Sequence, residues 1–111
     1  MDRIYSLEQF RSVCVARMTR ELIYDSREQP DDWALSPLRQ RVFCKFSGVY
    51  PESGMICLET GTGELCFRLV THVAERTDVC GRTEYRILCR NPWNGGSVKF
   101  VLKERKQRPV I

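Results

Sequence analysis

TEYRILCRNPWNGGSVKFVLKE, running from Thr83 to Glu104, is two runs rich in β-branched and aromatic residues around a Pro-Trp-Asn-Gly-Gly cluster. That pattern predicts a β-hairpin. With Asn94-Gly95 as a two-residue type I′ loop, paired residues have numbers totalling 189. Tyr85, Ile87 and Cys89 then share one face with Val98, Phe100 and Leu102. The other face carries Arg86, Leu88 and Arg90 with Lys99, Val101 and Lys103. In this register Arg90 opposes Lys99 and Arg86 opposes Lys103. Like charges directly across a ladder are destabilising, so a face that keeps them is the first pointer to a function.

The cations are unevenly spread along the 111 residues. Residues 1–37 hold five Arg against seven Asp/Glu, a balance of −2, and residues 38–111 hold thirteen Lys/Arg against seven acids, a balance of +6. The basic character therefore belongs to the strand-rich part. Fourteen of the eighteen basic residues are Arg, whose planar fork suits phosphate or carboxylate. A hydrophobic share of 42% with 29% charged residues is globular rather than disordered composition. The opening MDRIYSLEQF has no apolar leader core, and no uncharged run is long enough to span a bilayer. The expected protein is cytoplasmic, with no membrane association and its six cysteines reduced.

Outside the hairpin, Ser6-Leu7-Glu8-Gln9 matches a capping box. Leu7, Phe10, Cys14, Met18 and Leu22 follow at helical spacing, with Arg11, Arg17, Arg20 and Glu21 largely off the stripe, predicting one amphipathic helix over 7–24. Residues 25–37 (DSREQPDDWALSP) read as an acidic connector anchored by Trp33. Its acids could also form an arm that shields a basic face or meets a partner. Arg41 to Phe46 alternates as a strand, and GVYPESG (48–54) reads as turn. Met55 to Glu59 and Glu64 to Val73 flank the turn Thr60-Gly61-Thr62-Gly63, with Ile56, Leu58, Leu65, Phe67, Leu69 and Val73 inward. A three-residue loop ending at Gly81 pairs Val73 with Ile87 and Thr71 with Cys89.

The expected architecture is a single α+β domain over 1–111. One N-terminal helix packs on a twisted, meandering antiparallel sheet of about five strands, spanning 38–104, before a basic tail at 105–111. A small partly closed β-barrel with one helix is the alternative, with Gly48, Gly54 and Gly81 as corners.

Chemistry has few footholds. The cysteine gaps of 30, 13, 9, 14 and 9 and the single histidine, His72, do not match metal-ligand spacing. Cys57 and Cys66 do fall directly opposite each other, a geometry that can host a disulfide. Gly61-Thr62-Gly63 lacks the Lys-Ser/Thr of a phosphate loop and opens a strand. Nucleophile and metalloprotease motifs are absent, so no enzyme, cofactor or metal is expected.

What remains is the outward sheet face. It is expected to carry Arg68, His72, Arg76, Arg86, Arg90, Lys99 and Lys103 between Val70, Leu88 and Val101, with Trp93 at the hairpin tip and Glu84 opposite Arg76 as counter-charge. A basic, partly apolar sheet surface suits nucleic acid or a nucleotide-type anion. The expected function is therefore a small non-enzymatic polyanion-binding module. The other reading is a regulator or inhibitor, of the kind phage and mobile elements encode, that docks on a larger protein through the same face. An edge strand, Val42–Phe46 or Val98–Lys103, could also join a partner's sheet or make a homodimer.

Overall fold

The computed structural model describes residues 2–29 and 41–105. Strand β1 (Asp2–Ser6) leads into helix α1 (Leu7–Cys14) and a 3₁₀ turn at Val15–Arg17. Seven more strands follow: β2 (Leu22–Asp25), β3 (Arg41–Tyr50), β4 (Met55–Thr60), β5 (Gly63–Phe67), β6 (Val70–Thr77), β7 (Thr83–Arg90) and β8 (Ser97–Glu104). All are antiparallel neighbours in one sheet of order β1-β6-β7-β8-β2-β3-β4-β5. The class is α+β as expected, but the sheet has eight strands rather than five. Its ladder is open at both ends, so the sheet is not closed into a barrel.

The three extra strands come from segments with another apparent fate. The capping box forms as expected: Ser6 Oγ accepts from the Gln9 amide at 3.2 Å, and Gln9 Oε1 accepts from the Ser6 amide at 2.9 Å. The helix it starts ends at Cys14 rather than Tyr24, because Leu22-Ile23-Tyr24 is taken up between β3 and β8. Leu22 still reaches the core, now from a strand. Residues before the cap pair with β6 as β1. The run Glu64–Val73 is two strands, not one. Leu69 adopts φ +56, a left-handed conformation costly for a branched side chain. That turn carries the chain from the edge strand β5 to β6, next to the opposite edge, in two residues. Such a short link requires the sheet to coil until its ends approach. Hydrogen bonds of 2.8 Å from the Val70 amide to the Gly54 carbonyl and from the Arg90 amide to the Leu69 carbonyl pin the corner. Leu69 is consequently exposed, whereas Val70, expected outward, is buried.

The two proposed edge strands are interior: Val42–Phe46 lies in β3 between β2 and β4, and Val98–Lys103 lies in β8 between β7 and β2. The edges are β1 and β5. The stretch 48–54 is turn only at its end, since β3 runs to Tyr50 past an irregularity between Phe46 and Gly48, and Pro51–Ser53 is a 3₁₀ turn closing on left-handed Gly54.

The concave side of the coiled sheet holds the core. Phe10 of α1 projects into it with ring centroids 5.2 Å from Phe46 and 6.2 Å from Tyr85, which are themselves 5.2 Å apart. One helical ring thus joins the β6-β7-β8 meander to the β2-β3-β4-β5 meander. Phe67 in edge strand β5 stands 4.9 Å from Phe100 in β8, a second tie between them. No described helix is long and apolar enough to cross a membrane. Trp33 and most of the basic tail fall outside the described residues.

Candidate functional site

The β7–β8 hairpin forms in a register two residues from the expected one. Glu84 pairs with Lys103, Arg86 with Val101, Leu88 with Lys99 and Arg90 with Ser97. Residue numbers total 187, so the inward and outward faces are as expected while the opposing partners differ. The cause is the turn. A type I′ loop needs positive φ at both central residues, but of Asn94 and Gly95 only Gly95 has it, at φ +71. Asn91 closes a wider loop: its side chain accepts the Trp93 amide at 2.9 Å, its carbonyl accepts the Gly95 amide at 2.9 Å, and its amide donates to the Gly96 carbonyl at 2.7 Å. Because Pro92 has no N–H, Trp93 supplies the first donor. The like-charge oppositions therefore do not exist, and Lys103 faces a carboxylate.

On the outward face β1, β6, β7 and β8 align in rows: Asp2, Arg76, Glu84 and Lys103; Ile4, Ala74, Arg86 and Val101; Ser6, His72, Leu88 and Lys99. Arg90, two residues beyond Leu88 on β7 and opposite Ser97, lies one row further toward the 91–96 turn. Among the described residues, acids populate only one end. Asp2 lies 3.7 Å from Arg76, Glu84 lies 3.5 Å from Arg86, and Glu28 lies 3.0 Å from Lys103. Glu28 belongs to the connector, so this pair ties the start of that segment to Lys103. At the other end His72, Arg90 and Lys99 have no carboxylate partner among the described residues. There the Thr71 hydroxyl, on a bulge between Val70 and His72, sits 3.0 Å from His72 Nδ1 and donates to the Leu88 carbonyl at 3.2 Å. The bulge pairs Val70, rather than Thr71, with Cys89. Trp93 at the adjoining tip is 78% exposed. Arg68 lies on the β5–β6 link, where its charge opposes, without reversing, the burial that pushes the Cys57 thiol up to about 12.

The structure thus gathers His72, Arg90 and Lys99, engages Arg86 and Lys103 with acids, and sets Arg68 to one side. Asp2 and Glu28 could not be assigned from sequence, because both arrive on elements whose pattern did not announce a place beside the sheet.

On the concave side a cleft of about 640 Å³ is lined by Arg3, Arg17, Arg20, Glu75, Thr83 and Glu104 among others. The Arg17 guanidinium holds Glu75 through Nε and, at 3.1 Å, through Nη2, and the Tyr5 hydroxyl donates to the same carboxylate at 3.4 Å. Burial pulls the Glu75 carboxyl up, but the hydrogen bonds and charge of Arg17 outweigh it, so the carboxyl titrates below its ordinary range. Burial, then the Glu75 charge, push the Tyr85 hydroxyl up to about 12. Arg20 donates to that hydroxyl at 3.4 Å. These contacts join the helix end to β6 and β7 as a structural network.

Burial also pushes Cys14 and Cys44 up to about 11 and Cys89 up to about 12. Those three thiols are protonated near neutrality. Cys57 and Cys66 are directly paired as expected, through a two-residue loop at Gly61-Thr62. Comparison of the chain with family models, curated proteins and solved structures finds no match.

Proposed function

We propose that this protein is a non-enzymatic binding module that takes a polyanion, a nucleic acid or nucleotide-type ligand, on the cationic end of its outward sheet face. The reading is carried by the segregation of charge: Asp2, Glu28 and Glu84 compensate one end, leaving Arg90, Lys99 and His72 together at the other. Lys99 is directly opposite Leu88, and Arg90 is its diagonal neighbour at about 7–8 Å, a separation two long side chains can use on successive phosphates. Leu88 offers an apolar floor, and the exposed Trp93 ring offers a stacking surface.

The test is anisotropy of a labelled single-stranded oligonucleotide with rising salt. Affinity is expected to fall with a log–log slope of about −0.7 per phosphate contact. Arg90→Glu and Lys99→Glu should each weaken binding and flatten that slope, whereas Arg76→Gln, already balanced by Asp2, should change little. Trp93→Ala should cost about 1–3 kcal/mol. No binding of oligonucleotide or nucleotide at low salt discards the proposal.

A second reading, a regulator docking on a larger protein through the same end, is favoured by the exposed Leu69 and Trp93 bordering Arg90. It predicts a salt-tolerant complex sensitive to Trp93→Ala. Strand addition is left to the edges β1 and β5.

A further inference from the structure

The outward face of the β4–β5 hairpin carries a second constellation, independent of the cationic end. Cys57 opposes Cys66, and one step along the same ladder face Glu59 opposes Glu64. Two carboxylates directly across a ladder repel, and Lys45, opposite Glu59 on β3, offsets only one of them. The Cys57 and Cys66 sulfurs are 2.8 Å apart, and Glu64 Oε2 is 4.0 Å from Cys66 Sγ. One ligand atom from each of Cys57, Glu64 and Cys66 fits within a span of 4.8 Å.

We propose that Cys57, Cys66 and Glu64 form a binding site for a thiophilic divalent cation of the zinc type. Tetrahedral zinc with bonds of about 2.3 Å to sulfur and 2.0–2.2 Å to oxygen sets its ligands roughly 3.5–3.8 Å apart. The present separations bracket that range, so side-chain rotation suffices and the ladder need not move. Binding displaces one proton from each thiol, and both leave to solvent. Two thiolates and a carboxylate bring three negative charges, answered mainly by the cation's two; burial holds the Cys57 thiol up, and the charge of Arg68, two residues after Cys66, offsets that only in part. The fourth position is left to water or to Glu59. Sequence spacing hides the set, because its closest relation runs across a hairpin rather than along one strand.

The competing use of the pair is a disulfide, which loses two protons and two electrons to an oxidant and leaves Glu59 and Glu64 opposed. A cation answers the thiols and the carboxylate together. The distinguishing experiment is titration of the fully reduced chain with Co²⁺, followed by sulfur-to-cobalt charge-transfer absorption and by competition with Zn²⁺. One equivalent of Co²⁺ giving that band, displaced by Zn²⁺, is expected. Cys66→Ser should halve the band or abolish it, and Glu64→Gln should weaken affinity at least about tenfold. Exposed Cys80→Ser, a control away from the site, should behave as the wild type. Cys66 and Glu64 lie on an edge strand, so these variants are expected to keep the native circular dichroism. Reduced, folded protein with no charge-transfer band, or with a band that survives Cys57→Ser/Cys66→Ser, overturns the proposal.

Discussion

At the scale of single residues, the least exposed ion pair among the described residues lies away from the proposed binding surface. Arg17 and Glu75 retain only 15% and 11% side-chain exposure, and each satisfies the other where water reaches poorly. Removing one partner of such a pair costs about 3 kcal/mol, the lower end of the range for buried pairs because some exposure remains. Glu75→Gln is expected to show that loss in urea unfolding at neutral pH. The folded-state carboxyl titrates below its unfolded value of about 4.3, so its contribution is present above that pH. It is lost as acid protonates the folded form. The wild type should therefore lose stability below about pH 4.3 more steeply than Glu75→Gln. Parallel pH profiles would show that the pair contributes no linked stability. None of this pairing was visible in the sequence, since Arg17 lay off the apolar stripe of the expected helix and Glu75 lay beyond the expected strand Glu64–Val73.

At the scale of elements, the informative cases are segments that satisfy two patterns at once. Leu7, Phe10, Cys14, Met18 and Leu22 keep helical spacing, yet the last position is reached by β2. Leu22-Ile23-Tyr24 is an apolar run compatible with either state, and the unfilled place between β3 and β8 settles it. Beyond β2 the pairing to β8 is continued by a side chain. Gln29 Nε2 donates to the Val101 carbonyl at 2.9 Å, and its Oε1 accepts the Val101 amide at 2.8 Å. Gln29→Ala strips both partners from a half-buried peptide and should cost about 1–3 kcal/mol. Faster amide exchange at Val101 is expected alongside. A variant with unchanged stability and unchanged exchange at Val101 would mean that water replaces the amide without loss.

At the scale of the whole molecule, two meanders meet at the β8–β2 pairing, and the coiled sheet closes over Phe10. Exchange protection should follow this order, with β7 and β8 slowest and the edges β1 and β5 fastest. Protection of β1 equal to that of β7 would contradict an open edge. The residues alone established the α+β class, the capped helix start, the inward and outward faces of β7 and β8, the Gly81 loop and the Cys57–Cys66 opposition. Those follow from period-two alternation and local turn chemistry, which act over a few residues. Strand order, the two edges and the pairing of charges on the outward face required the folded chain. A two-residue change in hairpin register preserves the faces but exchanges every partner, and Asn91 sets that register through hydrogen bonds that alternation does not encode. Which cations have a carboxylate partner among the described residues is a consequence of which acids long-range pairing carries to the sheet, and no local pattern holds that information.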